Sequence, residues 1–327
     1  MKKLVLASAV TLSLGLAAGN ATASVYEHSL LFTQNLLINF GDPSKVSVTN
    51  FNFDTTNTAF LNGVGSSTQD SCAGTPALNN CAKVRAPVDA LVYNAPGSAP
   101  LQGENSFTLQ GPGASQYSWA DSVIDAAQLV NFVPTQTRQG VEAELQTGEQ
   151  ASGNTNIQST TVFGFNFVVG EAGNTLSVSF QADPSLQAAI LAEPPGTYTA
   201  QANMALSVEL NNNDTGEFIR WVPDGTVTAT GCAFFGAGLT CTETADAEDL
   251  NITVNTGTNN TSDDYSLAAG FGNYAISVAG LTAGNWSLAL REETSGSLSR
   301  NVPRPVTLFL MGVGMLGLAT QAKRRRS

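Results

Sequence analysis

The chain has one histidine, four cysteines and few basic residues away from its two ends. A Ser-His-Asp or Cys-His machine needs an imidazole base, and the sole candidate, His28, stands close to the start of the polar body, where chain ends fray. No G-x-S-x-G elbow, H-E-x-x-H helix or phosphate-binding glycine loop is present. From Ser24 to Arg304 there are eight basic and twenty-six acidic side chains, a formal net charge of −18. Such a body repels polyanions and carries no footprint for nucleic acid, so no nucleic-acid partner is expected.

Long apolar runs are confined to the two termini. The first begins with Lys2 and Lys3, continues as an apolar core from Leu4 to Ala18, and closes on the small-residue site Ala21, Thr22 and Ala23. That order predicts a secretory signal peptide over residues 1–23, cut between Ala23 and Ser24, and hence an exported chain. The second run, Val306 to Ala322, holds seventeen residues without a charge. As a helix it spans roughly 25 Å, the short end of what crosses a bilayer. Lys323, Arg324, Arg325 and Arg326 follow it and predict a cytoplasmic stop, which leaves the acidic body outside.

Cysteine usage fits an oxidising compartment. Cys72 and Cys81 are separated by eight residues, as are Cys232 and Cys241. Four cysteines allow three pairings; local pairing within each short segment is expected, with bridges that trim loops. Zinc ligands normally stand two to four residues apart, so neither a metal nor any other cofactor is implied.

Between the ends, the dominant pattern has period two. Every even position from Tyr198 to Leu210 is apolar, which predicts a long strand with one buried face, followed by the turn cluster "NNNDTG" and a hairpin partner in "EFIRWV". The same alternation marks Phe163, Phe165 and Phe167; Leu176, Val178 and Phe180; Leu250, Ile252 and Val254; and Tyr274, Ile276 and Val278, with a further strand in "GNWSLAL". Short strands separated by Gly, Asn, Asp and Pro clusters predict an all-β body over residues 24–300, an antiparallel sandwich or jelly roll in one large or two smaller domains. One segment departs from the rhythm. In "SWADSVIDAAQLV" the residues Ala120, Val123, Ile124, Ala127 and Val130 fall at helical spacing behind Ser118, which predicts a short helix or a bulged strand.

Candidate chemistry is sparse. Two carboxylates across a groove suffice for a glycosidase or lyase; the densest acids are Asp246, Glu248 and Asp249, then Asp263 and Asp264. Solvated loop charge is the simpler account of them. Trp119, Trp221 and Trp286 raise a sugar-stacking platform and hence a carbohydrate-binding module, against the commoner fate of an isolated indole, which is core packing. Sequons at Asn213, Asn251, Asn259, Asn260 and Asn285 fit surface loops of an exported protein.

The segment 301–327, "NVPRPVTLFLMGVGMLGLATQAKRRRS", resembles the PEP-CTERM sorting signal of Gram-negative bacteria, whose pattern is V-P-E-P, then T-L, a Gly-spaced apolar helix and a basic end. Val302, Pro303, Pro305, Thr307, Leu308, Gly312, Gly314, Gly317 and Leu318 match, as does the terminal cluster; Arg304 stands where the family has Glu. The resemblance implies a transient inner-membrane anchor, an exosortase-like processing enzyme as partner, and a final place at the cell surface or in an extracellular matrix associated with exopolysaccharide or biofilm. It says where the chain goes and little about what the body binds; the sparse chemistry adds the expectation of a non-enzymatic role.

Overall fold

The computed structural model describes residues 24–75, 88–94, 105–113, 116–125, 135–146, 152–193, 196–227, 232–268 and 270–302. The expected signal peptide and everything beyond Val302 lie outside the described residues. In chain order the strands are β1 (Ser24–Phe40), β2 (Val46–Leu61), β3 (Val64–Gly74), β4 (Val88–Asn94), β5 (Tyr117–Asp125), β6 (Thr135–Gln146), β7 (Ser152–Val169) and β8 (Asn174–Leu191). They continue with β9 (Thr197–Asn212), β10 (Phe218–Trp221), β11 (Cys232–Phe235), β12 (Thr240–Asp246), β13 (Thr253–Thr256), β14 (Thr261–Ser266), β15 (Gly272–Leu281) and β16 (Gly284–Asn301). Among the described residues there is no α-helix, and no helix is long and apolar enough to cross a membrane.

The strands form two antiparallel sheets. One runs β12-β15-β8-β1-β6-β5-β4, with β14 also on β8; the other runs β11-β10-β9-β16-β7-β2-β3, with β13 also on β9. Their inner faces share one contiguous apolar core whose members range from Val25 to Leu298, so both ends of the body contribute to one interior. The all-β, antiparallel, sandwich-like architecture expected from alternation is therefore present. Tyr198, Ala200, Ala202, Met204, Leu206, Val208 and Leu210 all point inward and are buried, and Phe218 to Trp221 pair back on the same strand as a hairpin.

The part of "SWADSVIDAAQLV" up to Asp125 is a correction to the helical reading; Ala127 and Val130 lie outside the described residues. Tyr117–Asp125 is a strand, and every residue of it except Asp125 is buried. A strand covered on both faces loses its alternation, and a short apolar run then mimics helical spacing by coincidence. His28 is a second correction. It lies in β1, a central strand paired to both β6 and β8, and is 7% exposed, so it is not part of a frayed end.

The disulfide Cys232–Cys241 joins β11 to β12, the outermost strands of the two different sheets. The pairing is local in sequence, as expected, but its role differs from the one expected. It staples one margin of the sandwich and does more than trim a loop. Cys72, on β3 at the other margin, is also oxidised; its expected partner, Cys81, lies outside the described residues.

Candidate functional site

The predicted acids act as loop staples. Asp246 is buried and accepts from the backbone N–H of Asp224 at 2.9 Å and of Gly225 at 3.1 Å, and burial raises its pKa to about 6. Asp249 accepts from Asn251 N at 2.7 Å, Asp263 from Asn255 N at 3.0 Å, and Asp264 from the Ser262 hydroxyl at 2.9 Å. Glu248 is exposed. No group of three His, Cys, Asp or Glu among the described residues is arranged to hold a metal ion.

The tryptophans are core residues, which removes the indole platform. All three are 1% exposed or less. Trp119 Nε1 donates to Glu142 at 2.8 Å, Trp221 Nε1 to Glu243, and Trp286 Nε1 to the Thr282 carbonyl at 2.9 Å. A buried indole needs such a partner, and each has one. Three of the five sequon asparagines have engaged side-chain amide donors. Asn251 donates its amide to the carbonyls of Leu206 and Pro223, Asn259 donates to Glu193, and Asn285 donates to Asp214.

Two regions that the sequence did not single out carry most of the organised polar chemistry. The first is the outer face of the sheet formed by β1, β6 and β5. Residues 105–113 lie over it as a strap, with Leu109 packed on a small cluster of Leu30, Tyr117 and Trp119, and Phe107 edge-on to Phe32 at 5.7 Å. The strap is held by carboxylates. Asn105 N donates to Asp121 at 2.8 Å, Gln110 N and Gly111 N to Glu142 at 3.0 and 2.9 Å, and Gly113 N to Glu144 at 2.6 Å. Glu142 also accepts from the Tyr26 hydroxyl at 2.7 Å. Gly140 makes the layer possible, because a Cβ there would come within 3.2 Å of the Trp119 ring and 2.4 Å of Leu30. Burial and the Glu142 charge together push the Tyr26 phenol upward, while burial lowers His28 to about 4.

Two further acids face inward, between the sheets. Glu292 accepts from Thr33, Thr137 and Thr161 at 2.8, 2.6 and 3.1 Å, and burial still raises its pKa against those bonds. Both oxygens of Glu27 lack a hydrogen-bond partner among the described residues, and burial raises its pKa well above the usual carboxylate range. A neutral acid is the cheaper occupant of such a site.

The second region is the outer face of the other sheet, which nothing covers among the described residues. At its β3 side a groove of about 660 Å³ is lined by Thr58, Phe60, Gly65, Ser67, Asn156 and Gln158, among others. The hairpin β2–β3 sets its shape. Asn62 and Gly63 both have positive φ (51° and 86°), the paired left-handed turn that an Asn-Gly dipeptide favours between twisted strands. Register then places Thr58 between Ser67 and Gln158, and Phe60 between Gly65 and Asn156. Among the described residues, no carboxylate, imidazole, thiol or amine lines this groove.

No protein-family model, no curated protein and no solved structure matches the chain. Of the sorting-signal residues only Val302 is described; it packs partly buried against the core directly after β16. Pro303, Arg304, Pro305, Thr307, Leu308, Gly312, Gly314, Gly317 and Lys323 to Arg326 lie outside the described residues, as does Ala23 of the cleavage site. Ser24, its other half, is buried and paired on both sides, to Gln146 and Leu191.

Proposed function

We propose that this chain is an exported, non-enzymatic protein of the cell surface or extracellular matrix, delivered by its signal peptide and released from a transient membrane anchor by an exosortase-like enzyme. The observation that carries the reading is the terminal sequence itself, in which Val302-Pro303, Pro305 and Thr307-Leu308 precede an uncharged, glycine-spaced run and a basic end. The geometry of the body supports the non-enzymatic part. Of the clustered acids that a glycosidase or lyase would need, Asp246, Asp249, Asp263 and Asp264 are engaged with nearby backbone N–H groups or a serine hydroxyl, Glu248 is exposed, and no titratable group among the described residues lines the groove. The β-rich body, with strands running up to the edge of the tail, fits a compact cargo that is separable from its anchor.

Intact-mass measurement of the protein from membrane and medium fractions tests this reading. The surface form should lack the cluster Lys323 to Arg326, Arg304→Glu should raise the processed fraction by restoring the family pattern, and deletion of Val306 to Ser327 should release a folded body. Full-length chain found only in the membrane, with Arg304→Glu making no difference, means a plain single-pass anchor. The groove favours a second reading, carbohydrate binding by the same body.

A further inference from the structure

The open face has an ordered chemical composition. One row of side chains crosses six strands in register: Ser67, Thr58, Gln158, Ser295, Asn203 and Thr253. The neighbouring row is Gly65, Phe60, Asn156, Ser297, Gln201 and Asn255. At 4.8 Å per strand each row extends about 24 Å. Neither row contains a charge, in a body whose formal net is −18. The charges that do occur on this face are occupied. Glu209 lies between Arg220 and Arg291 at 3.6 and 3.5 Å, and Glu293 accepts from the Gln158 amide at 2.9 Å.

Hydrogen bonding divides the rows in two. Toward β9 they bond internally, with Gln201 and Thr253 both donating to Asn203 at 2.8 Å. Toward β3 they do not. The side chains of Thr58, Ser67 and Asn156, which line the groove, make no hydrogen bond to the protein among the described residues, while Gln158 beside them is held by Glu293. Between them lies the half-buried ring of Phe60. A Cβ at Gly65 would come 3.2 Å from that ring, so the glycine keeps the space beside it open.

From this we infer that the outer face of the β3-β2-β7-β16-β9 sheet binds an uncharged, hydroxyl-rich polymer, a neutral polysaccharide, with the Phe60 groove as its anchoring subsite. Unpaired hydroxyls and amides exchange water for sugar hydroxyls at small net cost. The Phe60 ring offers the apolar surface that a pyranose face needs. A polyanion is disfavoured, because among the described residues no cation lines the groove and the body repels negative charge. The inference deepens the carbohydrate-binding reading and does not depend on how the tail is processed.

The test uses the full-length protein in detergent with dextran, amylose and a mixed-linkage β-glucan as neutral probes and alginate as the anionic one. At least one neutral glucan should bind and alginate should not. Phe60→Ala should weaken binding about tenfold. The double substitution Ser67→Asp and Asn156→Asp, both at exposed positions that leave the core intact, should weaken it at least as much. Ser262→Asp, exposed on β14 of the opposite sheet, should leave it unchanged. Absence of binding to every neutral glucan, equal binding to alginate, or neutral binding that ignores the groove substitutions would overturn the inference. Failure here leaves the intact-mass result on the tail untouched, and a failed tail result leaves glucan binding untouched.

Discussion

The two outer faces of this sandwich are built from the same kind of strand and put polar side chains to opposite uses. On the β1-β6-β5 face, carboxylates are sealed beneath residues 105–113 and Glu142 alone accepts from two side chains and two backbone N–H groups. On the β2-β7-β16 face, hydroxyls and amides stand uncovered, and at the groove Thr58, Ser67 and Asn156 stand unpaired among the described residues. A covered polar group must be satisfied by the protein, whereas an uncovered one can be left for a ligand. The difference teaches where to look for structure and where to look for binding: charge density marks the first, and a neutral row with spare donors marks the second.

The comparison can be broken at Glu142. Glu142→Ala strands the Trp119 indole N–H, the Tyr26 hydroxyl and two strap N–H groups in a buried layer, so urea unfolding should show a loss of about 3–5 kcal/mol. A loss below about 1 kcal/mol would mean that the strap is not held by this carboxylate.

A smaller effect belongs to His28 on the same covered face. Burial depresses it from its ordinary 6.5 to about 4, against an opposing pull from Asp264. The folded state therefore binds fewer protons than the unfolded chain between those values. The stability term is complete above pH 6.5 and falls by about 3 kcal/mol as pH drops through the window. His28→Gln should flatten that part of the stability-pH curve. Glu27 has the opposite sign: with its pKa raised, its contribution is complete below the ordinary 4.5 and is lost as pH climbs toward the folded value. A curve for His28→Gln that matches the parent would show that the imidazole is solvated.

The smallest effect sharpens the contrast from the other side. Asn156→Ala on the open face removes an amide with no protein partner, so the unfolding free energy should move by no more than about 0.5 kcal/mol. A larger loss would mean that the groove residues serve the fold.

Legibility in the sequence followed the same division. Strands with one face inward and one outward, such as β9 and the Phe163-Phe165-Phe167 stretch of β7, announced themselves by alternation, because water on one side enforces it. Strands covered on both sides did not. β1 carries Glu27, His28 and Ser29 in the interior, and β6 carries Gln139, Glu142 and Glu144, all buried. Those residues look like surface in a sequence, since the groups that Glu142, His28 and Ser29 bond to include ones 23, 157 and 174 residues away. The groove was invisible for a different reason: its residues are ordinary Ser, Thr and Asn, and only register brings Ser67, Thr58 and Gln158 into one line. One local signal was there to be used, the Asn62-Gly63 dipeptide that sets the hairpin. The tryptophans misdirected in the other sense, since a rare ring draws the eye while Phe60 lines the open groove.

The position of β16 has a mechanical consequence. It is an interior strand, in register with β7 from Gly284 to Asn301 and with β9 from Trp286 to Asn301, and Arg300 near its end is clamped in a buried ion pair to Glu193 at 3.0 Å. A pull on Val302 directed along β16 loads this strand parallel to its axis. The load is then in shear and is shared at once by backbone ladders on both sides, so they cannot be unzipped one bond after another. Resistance to such a force is set by the unfolding rate under load and not by equilibrium stability. A load applied this way would have to break both ladders together before the body lost its shape.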